Sequence, residues 1–422
     1  EAEHPWCDQI LFQRFPEKRS IPEFHPRIWY FDLEWDTKED FTTVMAVDDT
    51  HAEHPVVFAW SDDSQGMEGV EVDFIEREGG YERRMYGSEK EMHDGFLNHL
   101  DICDPDILIA HSIAWADLPH LIRRLDDPDR LSPVGEVIRP NIKTGFYKET
   151  AQPIKGRLIL DSAAMGSSGS GIETLFAKSG RSLPNRKLQT IAEELEFEGK
   201  IQEDEEGNKL DVHTWWRTHF DLFVDYCLVD TTLLRKVCEA VNFVPYFLGM
   251  QQICGVKISS THNVTNYIRG LFARETDLKS PSRTYTERDS LKAANVFALK
   301  YGLLEHISLL DFKSLYPSII LAYNLCPTTK RRGAGEGIIQ APDGSFWDIS
   351  KKGILPSVIE DLLSVRTEYK KLMKEATNEK DKNKYDMLQL AAKVNANACY
   401  GYIAQSKIGG MWTDPDVGAA IT

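Results

Sequence analysis

Apolar and aromatic residues form three short runs in the first half of the chain, each about as long as a buried strand. They cover residues 27–35, 107–110 and 157–160, and they are rich in aromatic and β-branched side chains, which favour strands. The second run is followed by a loop and by a helical pattern over residues 118–125. The first half is therefore predicted to contain at least three buried strands.

The second half shows helical spacing more often. Residues 210–241 have a helical pattern, and Pro245 interrupts the residues that follow it. Residues 307–318 predict a strand that leads into a sharp turn. Residues 355–376 and 385–400 predict two long helices with a charged turn at 378–384 between them, which together make an antiparallel helical hairpin. The glycines of residues 166–171 predict a surface loop, because they lack the strand-to-helix setting of a phosphate cradle.

Composition narrows the classes of protein. A chain of 422 residues predicts two to four domains, and 42% hydrophobic residues is in the globular range. There is neither a long apolar stretch for a membrane span nor a basic, apolar start typical of a signal peptide. The seven cysteines are scattered singly, so no zinc knuckle or disulfide framework is indicated. We expect a reducing, intracellular setting without membrane partners.

Net charge gives a mixed picture. The formal charge of −17 alone argues against a nucleic-acid binder. However, residues 351–410 hold eleven Lys and Arg against seven Asp and Glu, and the acidity is concentrated in the first half. Enzymes that act on DNA need positive charge only where the DNA phosphate backbone binds, whereas their metal sites need clustered carboxylates. Overall charge therefore does not exclude DNA as a substrate.

The first half holds a set of acidic residues suited to metal binding. Asp32 and Glu34 are two positions apart on a predicted strand, so they share one face, where like charges favour a bound cation. Asp117 lies after the second buried run, and Tyr226 and Asp230 are one helical turn apart. Four carboxylates and a phenol could hold two divalent ions and orient a water for attack on a phosphodiester.

The second half holds a second set. In the segment Asp311-Phe-Lys-Ser-Leu-Tyr-Pro-Ser, Asp311 and the backbone carbonyl of Phe312 could hold Mg²⁺ against a triphosphate, with Tyr316 beneath the sugar. On the predicted hairpin, Lys393, Asn397 and Tyr400 fall on one helical face, and Arg366 and Lys370 are one turn apart on the opposing helix. These groups could bind the phosphates and the base pair of an incoming nucleotide.

These motifs, in this order, resemble family B DNA polymerases. The first set resembles the three motifs of the family's 3′–5′ proofreading exonuclease, and residues 187–193 resemble the segment before the third motif. The resemblance implies that four carboxylates ligate metals and that Tyr226 positions the attacking water: Asp32, Glu34, Asp117 and Asp230. The sequence departs from the family at Ser112, where Asn is usual, and at Ala116, where an aromatic is usual. Weaker contacts to the primer end are expected.

The D-x-x-S-L-Y-P-S string resembles motif A of the family, and residues 393–401 resemble motif B with Ala398 in place of the usual Ser. The resemblance implies that Tyr316 excludes ribonucleotides and that Arg366 and Lys370 bind the β- and γ-phosphates. The implied nucleotide-binding residues are Phe312, Ser314, Leu315, Tyr316, Arg366, Lys370, Lys393, Asn397 and Tyr400.

The resemblance implies an α/β and α+β multidomain fold. Its parts are a linker at 1–27, an RNase H-like exonuclease domain at 28–241 with a mixed sheet flanked by helices, a connecting region at 242–306, a partial palm at 307–352, helical-hairpin fingers at 353–403 and a return to the palm at 404–422. It implies two Mg²⁺ per active site, with Mn²⁺ as a substitute, and primer–template DNA, dNTPs and a sliding clamp as partners.

The family's second palm carboxylate pair and its thumb are missing from these residues. Two explanations stay open: the chain is a fragment, or it is one subunit of a split polymerase whose second polypeptide supplies the missing palm strands and thumb. A stand-alone exonuclease and a non-catalytic replisome scaffold are the alternative functions.

Overall fold

A computed structural model describes residues 25–140, 152–163, 183–201, 203, 207, 209, 212–256, 264–276, 297, 300, 302–303, 305–312, 314–404 and 412–422. The chain divides into two compact units, which we call the N-terminal unit, Pro22–Val244, and the C-terminal unit, Pro245–Thr422. The predicted loop at 166–171 lies outside the described residues. None of the described helices is long and apolar enough to cross a membrane.

The N-terminal unit is built on one mixed sheet in the order β4-β5-β3-β2-β1-β6-β7. Strand β1 pairs antiparallel with β2 on one side and parallel with β6 on the other, and β6 continues parallel to β7. The three predicted strands are β1, β6 and β7. The strands are β1 (Ile28–Asp36), β2 (Phe41–Asp49), β3 (Val56–Trp60), β4 (Val70–Ile75), β5 (Tyr81–Tyr86), β6 (Ile107–Ala110) and β7 (Leu158–Asp161).

Helices cover both faces of this sheet. They are α1 (Glu89–Cys103), α2 (Asp117–Arg124), α3 (Leu188–Glu194), α4 (Val212–Thr218) and α5 (Phe220–Ala240). On one face, Trp29, Phe31 and Leu33 of β1 join a core with α1 and α2. On the other, β2 and β3 pack against α4 and α5 through residues such as Trp216 and Phe223. Because strand side chains alternate, the remaining positions of β1 point towards the α5 side.

The C-terminal unit is mainly helical. Its helices are α6 (Phe243–Cys254), α7 (Val264–Glu275), α8 (Leu315–Tyr323), α9 (Ile354–Glu375), α10 (Glu379–Ile403) and α11 (Pro415–Ile421). A small sheet in the order β8-β10-β9 lies between α8 and α9 along the chain, with β8 (Lys330–Arg331), β9 (Ile338–Gln340) and β10 (Phe346–Asp348).

The predicted helical hairpin is present as α9 and α10. The Arg366 guanidinium donates to Gln389 Oε1 at 3.5 Å, and the rings of Tyr369 and Tyr385 stack with centroids 6.2 Å apart. The predicted turn over 378–384 is wrong, because α10 begins at Glu379. Asn378 caps it by accepting a hydrogen bond from the Asp381 amide at 2.8 Å, so the charged stretch is helical instead.

Two other predictions need correction. The helical pattern over 210–241 is two helices, α4 and α5, which are separated at His219. Pro245 does not end a helix but lies in the first turn of α6, where a missing backbone donor costs little. The strand predicted at residues 307–312 is not formed, since these residues pair with no other described strand.

Candidate exonuclease and nucleotide-binding sites

Strand β1 brings the first two predicted metal ligands onto one face. Asp32 and Glu34 alternate with Phe31 and Leu33, which are buried in the opposite core. The ladder between β1 and β2 is regular to Glu34 and shifts register directly after it. A bulge at this point bends the strand and ends the regular pairing beside the carboxylates.

Helix α5 carries the next two predicted residues across the face of β1. Tyr226 and Asp230 are one turn apart on this helix, and Cys227 between them donates through Sγ to the Asp32 carbonyl at 3.6 Å. One ligand oxygen from each of Asp32, Glu34 and Asp230 lies within 4.8 Å of the others. The structure therefore brings three of the four predicted carboxylates into one cluster, which we call the carboxylate cluster.

Asp117 is the first residue of α2 and is 3% exposed. By the 4.8 Å limit that defines the carboxylate cluster, Asp117 is not a member of it. Burial is the main cause that raises the pKa of Asp117, and repulsion from the Asp32 carboxylate is the second. The loop that precedes it begins at Ser112, whose φ of +77° lies in the left-handed region. Asn adopts this conformation more readily than Ser, so the sequence departure at 112 falls where the backbone is strained.

Burial and mutual repulsion dominate the electrostatics of the cluster. Burial, together with the charge of Asp230, raises the pKa of Asp32 to about 7. Burial and the charge of Asp32 hold the pKa of Glu34 well above its ordinary value. Burial also raises the pKa of Asp230, despite its ion pair with Lys200. Without a cation, burial and mutual repulsion therefore disfavour the simultaneous ionisation of these carboxyl groups.

The donor set fits a divalent cation. Three buried carboxylate oxygens have no hydrogen-bond partner among the residues that the structure describes: Asp32 Oδ2, Asp117 Oδ2 and Asp230 Oδ1. Leaving such atoms unpaired is costly, and a cation would satisfy them. Oxygen-only ligands of this kind suit Mg²⁺ or Mn²⁺.

The sequence reasoning missed Lys200. Its ammonium pairs with Asp230 Oδ2 and lies 5.6 Å from the centre of the Tyr226 ring. Burial alone would lower the pKa of Lys200, but attraction to Asp230 and Asp32 raises it overall. Lys200 is thirty residues from Asp230 along the chain, and no spacing rule links the two, so only the folded arrangement reveals the contact.

In the C-terminal unit, α8 and α10 bring two predicted nucleotide-binding residues together. The rings of Tyr316 and Tyr400 have centroids 4.4 Å apart, and burial together with this proximity raises the pKa of Tyr400. Lys393 and Asn397 are exposed on α10, while Arg366 is half-buried and Lys370 exposed on α9. The predicted common face of Lys393, Asn397 and Tyr400 is present.

The segment around Asp311 is different. It has no regular secondary structure, and its neighbours Leu309, Leu310 and Phe312 are 92%, 93% and 76% exposed. Ser314 and Leu315 begin α8 shortly after it. Among the described residues, no group of three potential metal ligands forms around Asp311. The predicted strand fails here because a strand needs a neighbour for its backbone hydrogen bonds, and no described strand provides one.

Comparisons with known proteins give matches to DNA polymerases. The model of DNA polymerase family B matches residues 259–413. The DNA polymerase delta catalytic subunit of Glycine max is 28% identical over 349 residues, which are 75% of this chain and 31% of that protein. A DNA polymerase of Pyrococcus glycovorans is 26% identical over 389 residues, which are 87% of this chain and 47% of that protein. The chain thus spans about a third to a half of these relatives.

The fold also matches a solved structure. The family B DNA polymerase of the archaeon Pyrobaculum calidifontis superposes with a TM-score of 0.70 at 20% identity, covering 94% of this chain and 49% of that one. The seven-stranded mixed sheet flanked by helices confirms the predicted fold class. The sequence matches and the fold match together make this chain similar to DNA polymerases of family B.

Proposed function

We propose that the chain carries the proofreading part and the nucleotide-binding part of a DNA-directed DNA polymerase. The N-terminal unit removes nucleotides from a DNA 3′ end, and the C-terminal unit binds the incoming dNTP. The observation that supports this most directly is the carboxylate cluster, with three buried oxygens in and beside it that have no hydrogen-bond partner in the described part of the chain.

Asp32, Glu34 and Asp230 would hold divalent cations, with Asp117 as a further ligand. When bound, such a cation supplies a Lewis acid for the phosphate and lowers the pKa of a water. Lys200 balances one negative charge of the cluster, so the ionised carboxylates still exceed the positive charge of the protein groups around them. This excess favours a cation over a further basic side chain.

Tyr226 is placed to orient the attacking water. It is one turn from Asp230 on α5, close enough for the charge of that carboxylate to act on the phenol. Burial and the neighbouring carboxylates raise the pKa of Tyr226, so the phenol stays neutral and can donate a hydrogen bond. In the reaction, the water oxygen bonds to phosphorus as the bond between phosphorus and the 3′-oxygen of the preceding nucleotide breaks. The water gives up one proton, and the released 3′-oxygen takes up one.

In the C-terminal unit, Arg366, Lys370 and Lys393 offer the positive charge that a triphosphate requires. Tyr316, held beside Tyr400, would lie beneath the sugar and exclude a 2′-hydroxyl. Asn397, Ser314, Leu315 and the Phe312 carbonyl complete the proposed nucleotide site. Asp311 would share the metal ions with a carboxylate outside the described residues.

The exposed segment at residues 307–312 supports a polymerase site that other palm strands complete. Burying its apolar side chains would be favourable, and its backbone, which pairs with no other described strand, can accept a neighbouring strand. We propose that palm strands from elsewhere in the same protein or from a second polypeptide pair with this segment. Primer–template DNA is the proposed substrate, and a sliding clamp the proposed partner of the intact enzyme.

The test is degradation of single-stranded DNA by the 422-residue chain. With Mn²⁺ or Mg²⁺, a 5′-labelled strand should shorten from its 3′ end, and Asp32→Ala should reduce the rate about a thousandfold or more, because a cation site contributes several kcal/mol to the transition state. Asp49→Ala is the matched control, since Asp49 is a buried β2 carboxylate that pairs with Arg27, away from the cluster. Unchanged activity in Asp32→Ala would refute the site assignment, and an inactive wild-type chain would favour a scaffold.

A further inference from the structure

Asp161, the last residue of β7, is a buried carboxylate that the proposed chemistry does not use. It is 5% exposed and lies opposite Ala110, the last residue of the parallel strand β6. The loop at residues 111–116 leaves β6 at this point and ends at Asp117. Asp161 is therefore beside the start of the loop that delivers a candidate metal ligand.

Three backbone amides donate to this one carboxylate. Asp161 Oδ1 accepts from the amides of Ser112 at 3.0 Å and Ala163 at 2.9 Å, and Oδ2 accepts from the amide of Ala114 at 3.3 Å. Two of these donors belong to the loop itself. Hydrogen bonds from backbone amides to a charged acceptor are stronger than neutral ones, and burial excludes competing water.

Other contacts give the loop a defined structure of its own. The Trp115 and Ala116 amides both donate to the Ser112 carbonyl at 2.9 Å, and the Leu118 amide donates to the Ile113 carbonyl at 3.0 Å. These contacts hold the residues of the loop in one conformation and connect the loop to α2. The bonds from Asp161 fix it to the sheet, and so to the strand that carries Asp32.

We propose that Asp161 is a positioning residue for the carboxylate cluster: by holding the Ser112 and Ala114 amides, it sets where Asp117 meets Asp32. This inference rests on the proposed metal-binding function of the cluster. Groups that orient metal ligands in this way typically change metal affinity by about 10- to 100-fold when they are altered. A purely structural role would change only the stability of the unit.

The test compares Asp161→Asn with Asp49→Asn in the 422-residue chain. Asparagine has the size of aspartate, but an NH2 group replaces one of the two carboxylate oxygens. This NH2 group then faces a backbone amide, and two hydrogen-bond donors oppose each other. Asp49 is the matched control because it is also a buried sheet carboxylate, and it accepts from Arg27 Nε at 2.8 Å, from the Trp29 indole at 2.9 Å and from the His51 amide at 2.8 Å. These three donors all lie outside the loop at 111–116.

Two readouts are needed. Mn²⁺ binding, measured by electron paramagnetic resonance, should weaken about 10- to 100-fold in Asp161→Asn and stay unchanged in Asp49→Asn. Amide hydrogen exchange of residues 111–118, measured without metal, should accelerate only in Asp161→Asn. If Asp161→Asn does not fold, Asp161→Ser replaces it, because serine keeps an acceptor without setting an amide donor against the loop.

Wild-type Mn²⁺ affinity in the folded Asp161 variant would overturn the inference. If the wild-type chain binds no Mn²⁺, the proposed function fails, and the exchange measurement then decides separately whether Asp161 holds the loop. Unchanged exchange at residues 111–118 would overturn that part as well.

Discussion

The two units differ in how their candidate sites are built. In the N-terminal unit, the candidate ligands come from β1, α2 and α5, whose positions are set by a seven-stranded sheet with cores on both faces. In the C-terminal unit, the candidate phosphate ligands lie on exposed or half-buried surfaces of two helices, and Asp311 lies on an exposed segment without regular secondary structure. The first site forms a metal-ligand cluster, whereas no group of three potential metal ligands forms around Asp311 among the described residues.

This difference shows what each site requires of its surroundings. Buried like charges have raised pKa values and unpaired oxygens, so the N-terminal cluster gains most from a cation. The exposed apolar side chains near Asp311 gain most from a neighbouring strand. The two sites can therefore be perturbed separately.

The largest expected effect concerns the anchoring of the helical hairpin. Asn324 is buried at the end of α8; its side-chain amide donates to the Asp348 and Lys351 carbonyls, and its Oδ1 accepts from the Gly353 amide at 2.9 Å. Asn324→Asp would set a buried carboxylate against two carbonyl oxygens, costing about 3–5 kcal/mol of C-terminal unit stability. Hydrogen exchange of residues 314–326 in increasing denaturant measures this cost.

Asn378→Asp is the control for that change. Asn378 caps α10 through its side-chain oxygen, which aspartate also offers. Its side-chain amide also donates to Asp381 Oδ2 at 2.8 Å, but both groups are exposed, so losing this bond should cost less than about 1 kcal/mol. The carboxylate cluster should keep its Mn²⁺ affinity in both variants. Equal stability losses for the two variants would contradict the role given to Asn324.

The next effect concerns nucleotide binding. Arg366→Ala and Lys393→Ala should each weaken binding of a dNTP about tenfold, because each removes one charged donor from the proposed triphosphate site. Isothermal titration calorimetry measures this affinity. Lys382→Ala is the control: Lys382 is also on α10 but pairs with Glu379. A loss of the same size in Lys382→Ala would indicate nonspecific attraction to the basic hairpin.

Metal affinity should depend on pH. The pKa of Asp32 is about 7, above its ordinary value of 3.8, so protons compete with the cation below about pH 7. Mn²⁺ affinity should fall about tenfold per pH unit below that point. A flat affinity profile between pH 5 and 7 would argue against cation binding by Asp32.

The same shift affects stability without metal. Folding raises the pKa of Asp32, so protonated Asp32 contributes fully to the stability of the metal-free unit below about pH 4. The unit loses this stability as the pH rises towards 7. Thermal unfolding in a chelator should show this loss. Asp32→Asn should reduce it, since the amide does not titrate.

The smallest effect concerns the strained loop. Ser112 has a φ of +77°, which glycine adopts without cost, so Ser112→Gly should stabilise the N-terminal unit by about 1 kcal/mol. Thermal unfolding measures the change. Ser364→Gly in the middle of α9 should have the opposite sign, because glycine is unfavourable inside a helix. If Ser112→Gly instead destabilises the unit, the contacts of the serine side chain stabilise the folded state by more than the backbone strain destabilises it.

The sequence predicted those parts of the fold whose signals are local. The buried strands at 107–110 and 158–161 and helix α9 agree with short apolar runs and helical spacing. The pairing of Asp32 with Asp230 could be predicted only through the family resemblance, because it joins residues almost two hundred positions apart. The residues next to Lys200 and Asp161 in the sequence do not indicate their roles. Lys200 pairs with the distant Asp230 carboxylate, and Asp161 accepts from the distant backbone amides of the loop at 111–116.

The failed strand at 307–312 has a different cause. Its composition favours a strand, but pairing depends on a partner that the described residues do not provide. The turn predicted at 378–384 fails because a charged stretch is compatible both with a loop and with the solvated surface of a helix. Asn378 provides an N-cap there, and the charges lie on the surface of α10.

The most direct test gives the 422-residue chain a 5′-labelled primer on a template, together with Mn²⁺ and all four dNTPs, and measures the length of the primer over time. The N-terminal cluster is assembled, whereas Asp311 belongs to no group of three potential metal ligands among the described residues, so the primer should become shorter and never longer. Shortening should disappear in Asp32→Ala. Primer extension by the chain alone would contradict the central claim that only the first of its two sites is complete.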